Sequence, residues 1–176
     1  MSSSLELIKS QSLSGSVANV SVTDVFSAKY DVYKITMNNF STASSTATET
    51  SLRFINSSGS VISADYAYAD YYMPNDTSYS DIRSSAVSTT EIRYAMGTID
   101  DSPQGGSAVH YIFNPFSSSS YTFNTNQSAS FYSNPRFLSN KGIGVLKSTA
   151  SITGFQILFE VSNANAGTIT VYGVKG

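Results

Sequence analysis

Apolar and polar residues alternate with a period of two along most of this chain. Between Tyr30 and Met37, Tyr33, Ile35 and Met37 fall on one side and Val32, Lys34 and Thr36 on the other. One buried and one wet face is the pattern of an antiparallel strand. Leu52 and Phe54 flank Arg53 in the same way. Ile92, Tyr94 and Met96 alternate with Arg93 and Ala95, and Val109, Tyr111 and Phe113 alternate with His110 and Ile112. Tyr121 to Tyr132 continues the pattern. Phe137, Leu138, Ile143, Val145 and Leu146 supply core material to residues 135–147, where Gly142 and Gly144 mark a bend or bulge. Near the end, Phe155, Ile157, Phe159 and Val161 form one alternating run, and Ile169 and Val171 lie in another. The break over residues 163–167 predicts a β-hairpin whose last strand is tied into a sheet.

The remaining stretches divide these strands. Residues 1–16 read as an N-terminal arm or a first short strand, with Leu5, Leu7 and Ile8 as candidate arm contacts. A single β domain follows over residues 17–176. Val17 to Phe26 is β-branched and predicts a strand. Asn38 to Thr48 reads as a loop anchored by Phe40, and Asn56 to Gly59 as a turn. Tyr30–Met37, Leu52–Ile55 and Ser60–Ile62 are expected to be consecutive strands of one sheet. Pro74 argues against a central strand through Asp65–Tyr79. Ile82, Ala86 and Val87 have the spacing of one or two helical turns, and Asp100 to Ser107 reads as an exposed loop. No long apolar run has helical spacing. The expected fold is all-β, an antiparallel β-sandwich or jelly roll of about 8–10 strands.

Composition changes the picture mainly through charge. Only 12% of the 176 residues are charged, against about 25% in ordinary domains. Ser, Thr, Asn and Tyr cover the surface instead, and the net charge is −2. Ten scattered basic residues make no phosphate-neutralising patch, so nucleic acid is not an expected partner. No apolar run approaches the roughly 18 residues of a membrane span, so no membrane association is expected. The absence of cysteine excludes disulfides and thiolate metal sites. Met1 to Ser10 lacks the basic and then apolar order of a signal peptide. The Asn-x-Ser/Thr sequences at Asn19, Asn39, Asn56, Asn75 and Asn126 therefore read as chance in a chain rich in these residues.

Candidate chemistry is sparse. The one histidine, His110, sits in a strand pattern, and no Gly-x-Ser-x-Gly elbow accompanies it. Asp100 and Asp101 read as a solvated turn in preference to a Ca²⁺ loop, and Asp65 and Asp70 receive the same reading. The chain is not expected to be an enzyme or to hold a metal or cofactor. The tyrosine cluster Tyr66, Tyr68, Tyr71, Tyr72 and Tyr79, beside Asp65, Asp70 and Asp76, is the leading candidate for interface or ligand binding. Packing of these tyrosines within a half-buried sheet is the competing reading, and the more heavily weighted one.

Four stretches together carry a family resemblance. They are Tyr30-Asp-Val-Tyr-Lys-Ile-Thr-Met37, Leu52-Arg-Phe-Ile-Asn-Ser-Ser-Gly59, Asp65-Tyr-Ala-Tyr68 and Gly167-Thr-Ile-Thr-Val-Tyr-Gly-Val-Lys175. Their order is similar to small all-β virion proteins of tailed bacteriophages, particularly those of marine and cyanobacterial hosts. The resemblance implies a jelly-roll-like homotrimer, made in the host cytoplasm and built into the virion. It implies a capsid decoration (cement) protein that binds the major capsid protein or other virion proteins. The alternative is a tail-fibre or receptor-binding module for host glycans.

Overall fold

A computed structural model describes residues 4–75, 82–101, 105–133 and 136–176. Among these residues every regular element is a strand. In chain order they are β1 (Leu5–Ser12), β2 (Asn19–Val22), β3 (Val32–Thr42), β4 (Thr48–Asn56), β5 (Tyr66–Pro74) and β6 (Ile82–Thr89). β7 (Ile92–Ile99), β8 (Gly106–Phe113), β9 (Thr122–Ser133), β10 (Arg136–Leu146), β11 (Ile152–Phe159) and β12 (Ala164–Val174) follow. An eight-stranded sheet runs β1-β12-β3-β8-β9-β10-β5-β6, and a four-stranded sheet runs β2-β11-β4-β7. All pairings are antiparallel. The two sheets pack as a sandwich, the all-β class expected from the alternation.

Between them lies one core. Tyr33, Ile35, Met37, Phe40, Ile112, Leu146 and Val171 enter it from the large sheet, and Leu52, Phe54, Ile92, Phe155 and Ile157 from the small one. Aromatic pairs bridge the layers. Phe26 lies 4.8 Å from Tyr33 and 5.9 Å from Phe155, and Phe54 lies 6.2 Å from Tyr66. Phe40 stacks 6.0 Å from Phe159. Gly167 lies beside this ring, and a Cβ there would meet Phe40 Cδ2 at 2.6 Å. Glycine thus lets β12 pass over Phe40.

Several local expectations are corrected. The two C-terminal runs are not a hairpin: β11 pairs with β2 and β4, and β12 with β1 and β3. Residues 160–163 carry the chain from one sheet to the other. Both strands direct apolar side chains into the same core, and alternation alone does not distinguish edge-to-edge pairing from face-to-face packing. For the same reason β3 and β4 belong to different sheets, and Val61 makes only an isolated bridge to Ile55. β3 extends through the expected loop to Thr42, because a register shift after Met37, with Asn39 at φ 55°, turns Phe40 into the core. The strand expected over Val17–Phe26 is ordered as β only from Asn19 to Val22. The helical spacing of residues 82–87 is overridden by pairing of β6 along β5. Pro74 ends β5 and does not break it, since its missing N–H falls at the strand terminus. Of the two readings of the N-terminal stretch, the first strand is the one observed. β1 pairs with β12 from Leu5 to Ser12, with Leu5 and Ile8 half-buried and Leu7 exposed.

Candidate functional site

The interior contains an unusual polar seam, built around β7. This strand is the edge of the small sheet and pairs only with β4. Its middle, Tyr94 to Gly97, bulges, with Tyr94 at φ 59° and Gly97 at φ 73°. A left-handed backbone is uncommon for an aromatic residue and is held there by its surroundings. The bulge leaves carbonyls that β4 does not pair. Side chains of the opposite sheet meet them. Asn126 and Asn140 donate to Tyr94 O at 3.2 and 3.0 Å, and Ser130 donates to Thr98 O at 2.7 Å. His110 Nε2 lies 2.7 Å from Ala95 O. From within the small sheet, Thr50 Oγ1 donates to Gly97 O at 3.1 Å.

Partners behind this row complete the seam. His110 Nδ1 lies 2.9 Å from the Asn124 carboxamide, and Ser128 Oγ donates to Asn140 Oδ1. Asn140 Nδ2 also donates to Asp70 Oδ1 at 2.8 Å. The Ala95 carbonyl only accepts, so a neutral His110 carries its proton on Nε2, and Nδ1 then accepts from the Asn124 Nδ2 group, which has no other partner, once that amide is turned toward the ring. Burial holds the His110 pKa below the ordinary value, which keeps the ring neutral. Asp70 Oδ2 has no partner, and burial pushes this carboxyl up to about 7 despite the Asn140 hydrogen bond. The inner face of Gly142 lies against the same group, where a Cβ would meet Asp70 Oδ1 at 2.4 Å. The polar residues on the inner face of β9 are thus ligands for a free strand edge.

The sequence-derived candidates separate on this frame. Tyr66, Tyr68 and Tyr72 point into the core, in line with the more heavily weighted packing reading and not with a candidate interface or ligand role for these three. Tyr66 Oη donates to Ile62 O at 3.1 Å and accepts from Phe54 N at 2.7 Å. Tyr72 packs edge-on against Tyr94 at 4.7 Å. Burial raises the pKa of the Tyr66 and Tyr72 phenols. Tyr71 is half-buried on the opposite side of β5, and Tyr79 and Asp76 lie outside the described residues. Asp65 is exposed, at φ 65°. Asp70 and Asp100 are buried, not solvated, while Asp101 is exposed. His110 is fully buried, with both ring nitrogens engaged in the core. Among the described residues no three His, Asp or Glu side chains gather as a metal site.

The outer face of the large sheet carries the candidate surface, which sequence reasoning missed. Strand register arranges it in rows. Phe113, Phe123, Val145 and Ala67 form or adjoin one row. The next is Lys34, Tyr111, Thr125, Ile143, Ala69 and Ser85. Beyond it lie Thr36, Val109, Gln127, Lys141 and Tyr71. Val87 is 82% exposed, Ile143 59% and Phe123 47%. They surround an apolar depression of about 440 Å³, open to solvent and floored by Ala67, Ala69 and Gly144. A more polar depression of about 690 Å³ follows across Tyr111, Gln127 and Lys141. Among the described residues no carboxylate lines either, and Lys34 and Lys141 have no ion-pair partner. The signal in the sequence was phase. In β9 and β10 the exposed apolar residues Phe123 and Ile143 alternate with the buried Asn124, Asn126, Asn140 and Gly142.

No family model and no curated protein matches the chain. Among solved structures it is compared with the infectious bursal disease virus VP2 subviral particle, at 6% identity over 94% of this chain and a TM-score of 0.16. The chain spans 40% of the length of that protein. A likeness of that size carries no argument about fold or function.

Proposed function

We propose that this chain is a non-enzymatic virion structural protein, a capsid decoration protein that binds the assembled major capsid shell through the outer face of its eight-stranded sheet. The observation that carries the reading is the exposed apolar surface of Phe123, Ile143 and Val87, around the depression that half-buried Val145 also lines. Exposed apolar patches rimmed by polar residues mark association surfaces. A partner that binds only the assembled shell stabilises it by mass action. The resemblance to phage virion proteins supplies the particle. The stretches that carry it fall on β3, on β4 with its turn, at the start of β5 and on β12. The glycan-binding alternative loses three of the five tyrosines that motivated it, because they are core.

Shells lacking this protein provide the test. The purified chain is expected to bind them, and Ile143→Asp is expected to bind at least about tenfold more weakly, a loss of about 1.4 kcal/mol. Wild-type protein that does not bind such shells contradicts the proposal. Adsorption to host cells blocked by the free protein favours the receptor-binding reading instead.

A further inference from the structure

The two depressions on the outer face of the large sheet are joined. A third hollow of about 300 Å³ lies between them. It shares Val109, Tyr111, Gln127 and Lys141 with the polar depression, and Thr125 and Ile143 with the apolar one. One band thus crosses the strands from Lys34 on β3 to Val87 on β6. Charge along it has one sign. The chain as a whole is acidic, with a net charge of −2, yet the band carries Lys34 and Lys141 and, among the described residues, no carboxylate. The other four lysines are engaged within the chain. Lys29 and Lys175 lie beside Glu6, and Lys9 and Lys147 donate to the carbonyls of Thr23 and Val87. Lys34 and Lys141 have no such partner.

From this charge pattern we infer that the band is the docking groove for an extended acidic segment of the capsid partner, with carboxylates at positions i and i+4 seated on Lys34 and Lys141; the inference rests on the shell-binding reading above. Strand geometry sets the spacing. β3 and β10 are separated by β8 and β9, three strand spacings or about 14 Å. Register places Lys34 in the row of Tyr111 and Lys141 in the adjacent row of Val109 and Gln127. In an extended segment residues i, i+2 and i+4 share a face, and the first and last are about 13 Å apart. Flexible lysine stems take up the diagonal offset between rows. Residue i+2 then lies over Tyr111 and Val109, and Gln127, Thr36 and Thr125 offer donors and acceptors to the peptide groups of the segment. Continuity with Phe123, Ile143 and Val87 selects a protein occupant, because a saccharide brings no apolar side chains to cover that end. A second copy of this chain, docked face to face, would set lysine against lysine, and like charges across an interface disfavour the pairing.

Binding of the full chain to shells that lack it, measured over a range of ionic strength, tests the groove. Wild-type affinity is expected to fall as salt rises. Lys141→Glu changes an exposed side chain and is expected to weaken binding at least about tenfold. Lys34→Glu/Lys141→Glu is expected to weaken it further and to lose the salt dependence. Lys9→Glu makes the same change of charge on β1, outside the band, and is expected to alter affinity less than about twofold. Shells that bind the wild type and lose affinity for Ile143→Asp but not for Lys141→Glu overturn the inference and leave the shell-binding reading standing. So does a wild-type affinity indifferent to salt, or a Lys9→Glu loss equal to that of Lys141→Glu. Wild-type protein that binds no shell overturns both. Host-cell binding lost in the double variant while shell binding is kept assigns the two lysines to an acidic surface saccharide, and overturns the inference as well.

Discussion

Asp70 and His110 set opposite limits on the pH range in which the polar seam is intact. Asp70 has a pKa raised to about 7 in the folded chain, from an ordinary value of 3.8. Between these values the folded state binds a proton that the unfolded state does not, so stability falls as pH rises from about 4 to about 7. Asp70→Asn removes the titration, and urea midpoints measured across this range are expected to lose that slope. At pH 8 the Asn variant is expected to be the more stable, because a neutral amide replaces a buried carboxylate. His110 acts in the other direction. Its lowered pKa means that the unfolded state takes the proton first, so its contribution is intact above about 6.5 and is lost as pH falls below it. His110→Leu leaves Ala95 O and the Asn124 amide without their partner. At about 1–3 kcal/mol per unsatisfied group, a loss of about 2–6 kcal/mol is expected in equilibrium unfolding at pH 7.

At the scale of elements, the small sheet depends on close approach. A Cβ on Gly154 of β11 would meet Val22 O of β2 at 2.4 Å. The obstacle is backbone, so β2 must move, and Gly154→Ala is expected to cost about 1–3 kcal/mol in thermal or urea unfolding, the range for overpacking. Alternation made the strands themselves legible. Tyr33, Ile35, Met37, Leu52 and Phe54 are buried on the side their spacing indicated. Two things were not legible. One is which alternating strands pair: β11 and β12 carry the same period, and only the core they share sends them to opposite sheets. The other is phase. Alternation over residues 121–132 indicated a strand but not which half is buried, and Asn124, Asn126, Ser128 and Ser130 are buried although an amide or hydroxyl is costly to bury without a partner. Those partners are Tyr94, Thr98, Asn140 and His110, 12 to 32 residues away in sequence. The tyrosines of β5 divide for a related reason, since alternation places Tyr66, Tyr68 and Tyr72 on one side, which the structure shows to be the core, without saying which sheet lies there.

For the whole molecule, the consequence is a division of labour between the two faces of the large sheet. Its inner face holds the core and the seam, and its outer face is free to bind. Substitutions outside are therefore expected to separate binding from stability. Ile143→Asp changes an exposed side chain, so its unfolding midpoint is expected to match the wild type within about 0.5 kcal/mol, while shell binding falls at least about tenfold. Equal losses of stability and binding would show that the variant acts through the fold. The most direct measurement is a cryo-EM reconstruction of the intact particle that locates this chain, counts its copies and orients its sheets. The account predicts many copies spread over the shell, with Phe123, Ile143 and Val87 turned toward the major capsid protein. A few copies confined to the tail, or copies on the shell whose large-sheet outer face points to solvent, would contradict it.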